Sequence, residues 1–383
     1  MGKRHDAKLN KRRGVVICGA YGLGNAGDEA ILKAILREVR GFAPGEPVTV
    51  LSRDPGQTAA RHGVQAVHMF NLPGMLRAMG RARLYLNGGG SLMQDVTSSR
   101  SLWYYLFTLS AARHMGCRVM MYGCGIGPIH SPRNRRRAGK TINRNVDVIT
   151  LRDQASLQEL EALGVTRPRI MLAADPAVTL PPAPPEEAEA VLEQAGLRPR
   201  EGQHYLGVTV RPWPGLEDKL PAFAQAIDRA FEQHGLLPVF LTIEGRQDTA
   251  AAKQVAALLK KAPAAILPPC PSSELAIALS ARMDVALSMR LHALIFAAAR
   301  GVPLVGVVYD PKVSAFLDCV DQDLCVQLDQ LTAGRLCGLL DAAADRVRDR
   351  AALEAKTARL VELEHVNRML AAQLLGQEGS AAS

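Results

Sequence analysis

Apolar residues in this chain fall into short unbroken runs. Each run ends in a polar or glycine-rich turn, and a stretch of helical composition follows. The runs are Gly14–Gly19, Val48–Ser52, Arg83–Asn87, Val119–Gly123 and Val148–Leu151, then Tyr205–Val210, Leu237–Thr242, Met283–Leu287 and Leu304–Tyr309. Runs this short and this uniformly apolar predict strands buried on both faces, as in parallel sheets covered by helices. Helical stretches are predicted between them at 30–40, 102–115, 155–163, 186–195, 218–234, 248–261 and 273–282. Strand and helix in steady alternation predict an α/β architecture.

The alternation is broken once, by Pro181-Pro182-Ala183-Pro184-Pro185. A proline cluster of this kind reads as an interdomain linker. The chain is therefore predicted to form two Rossmann-like domains facing a cleft, over 14–180 and 186–345, joined by the linker 181–185. Beyond them, Leu353, Leu360, Leu363, Val366, Leu370 and Leu374 make an apolar stripe over 346–375. It reads as a helix packing back on the domains, with a coiled-coil partner as the alternative. The basic arm 1–13 and the tail 376–383 read as disordered.

Composition narrows the partners. Of 383 residues 48% are hydrophobic and 22% charged, enough to bury large cores. The formal charge of +9 and the pI of about 9.3 favour an anionic partner: nucleic acid, a membrane surface or a phosphorylated small molecule. Aromatics make up only 4%, and neither zinc-finger spacing nor an RNA-binding aromatic signature is present, so nucleic acid is not expected. Seven cysteines stand scattered with no C-x-x-C pair, which suits free thiols in a reducing compartment and no metal site. No apolar run approaches the roughly 20 residues of a membrane helix. The expected location is the cytoplasm. The segment His130 to Arg144 holds six Lys/Arg and no acid, so it is either a solvated helix face or a peripheral patch for the anionic inner face of a membrane.

Candidate chemistry collects at predicted strand ends, where open α/β sheets bind ligands. The run Met283–Leu287 leads into Ser288-Met289-Arg290-Leu291-His292, and the next strand ends at Tyr309-Asp310-Pro311-Lys312. Between Asp284 and Asp310 there is no Asp or Glu to neutralise Arg290 and His292, a pattern suited to a small anionic ligand. Arg211 and Arg152 are further strand-end cations; for Arg152 an ion pair with Asp153 or another local acid is the ordinary alternative. In the first half, Gly19–Glu29 is a glycine-rich turn carrying Asn25 and Asp28, which either hold the loop or meet a ligand. Gly88-Gly89-Gly90 leads into a polar loop with Gln94, Asp95 and Arg100. Hydroxyls, an amide and a carboxylate in series suit a sugar, although such a loop can also simply bond to itself.

These stretches carry a family likeness. GAYGLGNAGDEAIL at 19–32, LNGGGSLMQDVTSSRSLWYYL at 86–106, GIGP at 125–128, LRDQAS at 151–156, GVTVRPW at 207–213, SMRLHALIFAA at 288–298 and YDPKVSAFL at 309–317 together resemble the polysaccharide pyruvyl transferase family, of the bacterial cell-surface-anchoring type. The sequence departs from the family pattern at Ser288, where Gly is expected. The resemblance implies a double fold of the glycosyltransferase B type. It also implies transfer of pyruvate from phosphoenolpyruvate, as co-substrate without a cofactor, to a sugar of a lipid-linked or wall-polysaccharide precursor, forming a ketal that supports anchoring of surface-layer proteins. His292 and Arg290 are then the catalytic candidates. Arg152, Arg211, Arg290, His292 and Lys312 would bind the donor, and Asn25, Asp28, Gly89, Gly90, Gln94, Asp95 and Arg100 the acceptor. No residues are expected to hold a metal. The alternatives are a nucleotide-sugar glycosyltransferase or epimerase on the same double fold, and a non-enzymatic anion-binding scaffold. Fold alone does not separate the first two.

Overall fold

A computed structural model describes residues 12–96, 98–198 and 204–376. Most of the basic arm 1–13 and of the tail 376–383 lies outside them. Contacts divide the chain into two units: unit 1 holds the described residues up to Gly24, 28–179 and those from Val361 onward, and unit 2 holds Asn25–Gly27 and Leu180–Leu360.

Unit 1 is built on a seven-stranded sheet. Its strands are β1 (Val15–Cys18), β2 (Val48–Ser52), β3 (Gln65–His68), β4 (Leu84–Met93), β5 (Arg118–Ile126), β6 (Val148–Leu151) and β7 (Arg169–Leu172), in the order β3-β2-β1-β4-β5-β6-β7 and all parallel. Unit 2 carries six: β8 (His204–Thr209), β9 (Leu236–Phe240), β10 (Ala265–Ile266), β11 (Val285–Ser288), β12 (Leu304–Val308) and β13 (Cys325–Gln327), in the order β10-β9-β8-β11-β12-β13, again all parallel. The strand order reverses between β1 and β4 in unit 1, and between β8 and β11 in unit 2. Those reversals are where ligands bind in such sheets.

The central strands match the apolar runs because helices cover both faces. Four strands were not foreseen: β3, β7, β10 and β13, with sequences QAVH, RIML, AI and CVQ. All four are sheet edges. An edge strand is only partly covered, so it needs no continuous apolar run. The apolar run ends at Asn87, yet β4 continues through Gly88–Gly90 to Met93 and pairs with Tyr122, Cys124 and Ile126 of β5. Among the described residues no helix is long and apolar enough to cross a membrane.

The last helix, Arg350–Leu375, begins among unit 2 residues and ends among those of unit 1. At its start Arg350 donates to the carbonyls of Arg300, Met283 and Ala281. Its later part places Glu364 at 0% exposure, accepting from the Tyr122 hydroxyl at 3.0 Å, while Asn367 donates to the Ala174 carbonyl at 3.0 Å. Burial, with the nearby charge of Glu38, pushes the Glu364 carboxyl up from 4.5 to about 8. The folded protein therefore keeps a proton on Glu364 that the unfolded chain loses above about pH 4.5. The unfolded state binds fewer protons between the two values, so stability falls as pH rises from about 5 to about 8, by an amount on the order of a few kcal/mol. Glu364→Gln should flatten that part of the profile and raise the melting temperature above wild type at pH 8.5. Thermal unfolding followed against pH is the measurement, and parallel profiles for the two proteins would contradict the assignment.

Candidate active site

In unit 2 the register sets the site. Ser288 of β11 pairs with Thr209 of β8 on one side and with Gly306 of β12 on the other. Arg211, Arg290 and Tyr309 thus emerge from three adjacent strand ends at the point of reversal. Ser288 is 2% exposed, and its hydroxyl accepts the Arg290 amide at 2.8 Å while donating to the Arg290 carbonyl at 3.0 Å. A buried hydroxyl thus staples this turn. Arg290 then stands at the N-cap of the helix Leu291–Ala298, and His292 lies in its first turn.

Arg290 is 6% exposed and not unneutralised, as the acid-free window had suggested. Its Nε and Nη2 reach Asp248 Oδ1 at 3.0 and 2.5 Å, and Nη2 reaches Glu244 Oε2 at 2.7 Å. Glu244 comes from the loop after β9 and Asp248 from the first turn of the helix Gly245–Ala256 that follows it, both far outside the window 284–310, so a count along the sequence could not find them. Asp248, 1% exposed, also accepts the Ile243 and Glu244 amides at 3.0 and 2.8 Å through its other oxygen. Burial works against the Arg290 charge, but Asp248 and then Glu244 more than offset it, so its pKa stands above the ordinary value. Neither ion pair uses Nη1.

Arg211 is held differently. Its Nη1 donates to the Tyr309 hydroxyl at 2.8 Å, and its guanidinium lies over the Trp213 and Tyr309 rings at 5.1 and 4.8 Å. Among the described residues no carboxylate pairs with it. Lys312 Nζ lies 5.3 Å from the same Tyr309 ring and 3.0 Å from Asp310 Oδ2. Asp310 also caps the helix Pro311–Cys319.

The glycine-rich turn contributes to this unit. Asn25 bridges Glu244, the Ala26 amide donates to Ile243 O at 2.8 Å, and the Ser273 hydroxyl donates to Ala26 O at 2.8 Å. Asn25 Oδ1 accepts the Gly27 amide at 2.9 Å. A side chain at Gly27 would put its Cβ 2.1 Å from His292 Nδ1, so only glycine lets this backbone lie against the imidazole. The structure therefore groups Asn25, assigned from sequence to the acceptor, with the donor candidates.

The remaining candidates sit in unit 1. Arg152, 8% exposed, pairs with Asp175 at 2.7 Å and with Asp153 at 3.6 Å, and donates to Ser91 Oγ at 2.8 Å. The ion-pair alternative describes it, with Asp175 as a closer partner than Asp153. Asp28 faces Gly90, where an added Cβ would lie 3.4 Å from Asp28 Oδ1. At Gly89 (φ +51) a Cβ would meet Ile31 at 2.3 Å, so what the glycine run admits is the helix Ala26–Phe42, packed closely on β4. Asp95 accepts from the His130 and Ser131 amides and from Asn134 Nδ2, at 2.7, 3.1 and 2.8 Å. Its carboxylate holds its own loop. Gln94 is half-buried just beyond β4, and Arg100 is exposed in the first turn of the helix Ser99–His114. Among the described residues no three His, Cys, Asp or Glu side chains are grouped to hold a metal ion.

Two parallel α/β sheets of Rossmann type give this chain a fold also seen in solved glycosyltransferases and epimerases of the B type. Anabaena HepE, solved with UDP-glucose, matches with a TM-score of 0.63 at 14% identity, over 94% of this chain and 99% of that one. A glycosyltransferase of Rickettsia africae gives 0.62 at 10% identity over 95% and 99%. The UDP-GlcNAc 2-epimerase of Methanocaldococcus jannaschii gives 0.61 at 11% identity over 86% and 92%. At such identities the likeness is one of fold. No curated protein matches the sequence. The chain belongs to the polysaccharide pyruvyl transferase family, whose model matches residues 25–311.

The buried ion cluster can be tested apart from catalysis. Asp248→Ala leaves Arg290 short of its buried partner and two loop amides without an acceptor. Loss of one partner from a buried pair costs about 3–5 kcal/mol. Denaturant unfolding should show a loss of that size, and a change under about 1 kcal/mol would mean that the cluster does not organise the site.

Proposed function

We propose that the protein transfers pyruvate from phosphoenolpyruvate to a sugar of a cell-wall polysaccharide precursor, closing a ketal across two hydroxyls and releasing phosphate. The product would serve in anchoring surface-layer proteins. Family membership supports a pyruvyl transferase. The observation that carries the donor is Arg211, a cation stacked on Trp213 and Tyr309 with no carboxylate beside it, in register with Arg290 and His292. Phosphoenolpyruvate offers a carboxylate and a phosphate, which guanidinium groups match. Arg211, Lys312 and the Nη1 side of Arg290 are the groups for these anions.

The chemistry needs a proton delivered to the methylene carbon of the donor, which leaves positive character at the adjacent carbon. A sugar hydroxyl adds there and phosphate departs with a proton. The second hydroxyl then closes the ketal. His292 supplies and recovers the proton, a task suited to imidazole near neutrality. Because Arg211 supplies the uncancelled positive charge for the donor, with N–H donors from Arg290 and Lys312 beside it, turnover should persist in chelator.

A nucleotide-sugar reaction is the second reading. One observation favours it: Glu244, with its side chain 31% exposed, puts a carboxylate beside Arg290, where the sequence had none. Thermal shifts with phosphoenolpyruvate and with UDP-glucose separate the two. The transferase reading expects stabilisation by the first alone, and stabilisation by UDP-glucose alone would reverse the choice. Arg211→Ala should weaken donor binding roughly 10- to 100-fold, the loss of a charge-assisted contact. His292→Gln should keep donor binding and lower turnover about 10²–10⁴-fold. Gly27→Ala, by crowding the imidazole, should copy the His292 defect. Near-normal turnover in His292→Gln would remove its proton role.

A further inference from the structure

We propose that the paired helices Ser99–His114 and Pro132–Asn145 of unit 1 form a docking face for an anionic lipid bilayer. The two helices pack on one another and contain no Asp or Glu. They carry eight Lys/Arg: Arg100, Arg113, Arg133, Arg135, Arg136, Arg137, Lys140 and Arg144. Two are neutralised by neighbours, Arg113 by Asp147 at 2.5 Å and Arg135 by Glu159 at 2.7 Å. The other six are exposed, and among the described residues none of them meets a carboxylate. A folded protein has little reason to hold six like charges together unless an anionic surface meets them, because their mutual repulsion destabilises the compact state.

Charge alone would suit any polyanion. The apolar residues in its midst decide the partner. Trp103 is 45% and Phe107 47% exposed, and four residues apart they share one helix face. The Arg137 guanidinium lies over the Trp103 ring at 5.3 Å, and the indole N–H donates to Asn134 Oδ1 at 2.9 Å. A tryptophan with its N–H satisfied, flanked by cations and followed by an exposed phenylalanine, fits where phosphates lie in front of an apolar phase. Amphipathic rings and basic side chains favour that depth of a bilayer. A soluble polyanion has no apolar phase to receive Phe107. Asn134, 4% exposed, also donates to Asp95 and Ser99, at 2.8 and 3.0 Å. The loop after β4 is thereby fixed to this face.

The test is co-sedimentation of the full chain with vesicles of phosphatidylcholine, with or without phosphatidylglycerol, at low and high salt. Binding should require phosphatidylglycerol and weaken with salt. The triple variant Arg133→Gln, Arg136→Gln, Lys140→Gln touches none of the ion pairs above and should lower the partition coefficient roughly 100-fold, three surface cations each contributing about a factor of five. Phe107→Ser should weaken vesicle binding several-fold while leaving binding to soluble inorganic polyphosphate unchanged. Unaltered melting temperatures would show that the variants fold. The proposal is overturned if the wild type ignores the anionic vesicles or binds neutral ones equally well. It is also overturned if the triple variant binds as wild type does, or if the protein binds polyphosphate but no vesicle. None of these outcomes depends on which reaction the protein catalyses.

Discussion

The buried cluster of Arg290, Asp248 and Glu244 is the constraint on which the candidate site rests. Taking a guanidinium and a carboxylate out of water costs several kcal/mol per ion, recovered only where the geometry is good and remaining lone pairs are satisfied. Here they are satisfied: one Asp248 oxygen takes two contacts from Arg290, the other takes two backbone amides of the loop after β9. The cluster therefore ties the ends of β9 and β11 together across β8. The Ser288 hydroxyl fixes the same turn from within. His292, in the first turn of the helix that Arg290 caps, inherits its position from these contacts and from the side-chain-free backbone at Gly27.

The cations of unit 2 are not equivalent, and the difference follows from what each touches. Carboxylates cancel the charge of Arg290, and one carboxylate offsets that of Lys312. Aromatic faces stabilise Arg211 without cancelling anything, since a ring contributes a quadrupole and no net charge. The positive potential available to a ligand is therefore centred on Arg211, while Arg290 mainly supplies rigidity. Arg152 in unit 1 follows the Arg290 pattern, buried and paired with two carboxylates.

Much of this was legible in the chain itself. The central strands were readable because burial on both faces demands continuous apolar runs, and the strand-end positions of Arg211, Arg290, His292 and Lys312 followed from where those runs stop. Edge strands such as β7, whose sequence is RIML, were not readable, since half-covered strands place weak demands on composition. The glycines at 88–90 were visible as the lead into a polar loop, but not as the place where Ile31 and its helix approach the strand closely.

Local physics, then, determined the alternation of elements, the parallel sheets, the glycine positions and the residue types at each strand end, because periodicity and backbone sterics act over a few residues. Only the tertiary structure decided which charges meet. Asp248 lies 42 residues before Arg290, Asp175 lies 23 after Arg152, and Tyr309, 98 residues after Arg211, closes on it from the end of β12. Electrostatic and ring contacts depend on distance in space, and strand order sets that distance through crossovers that no window along the chain contains.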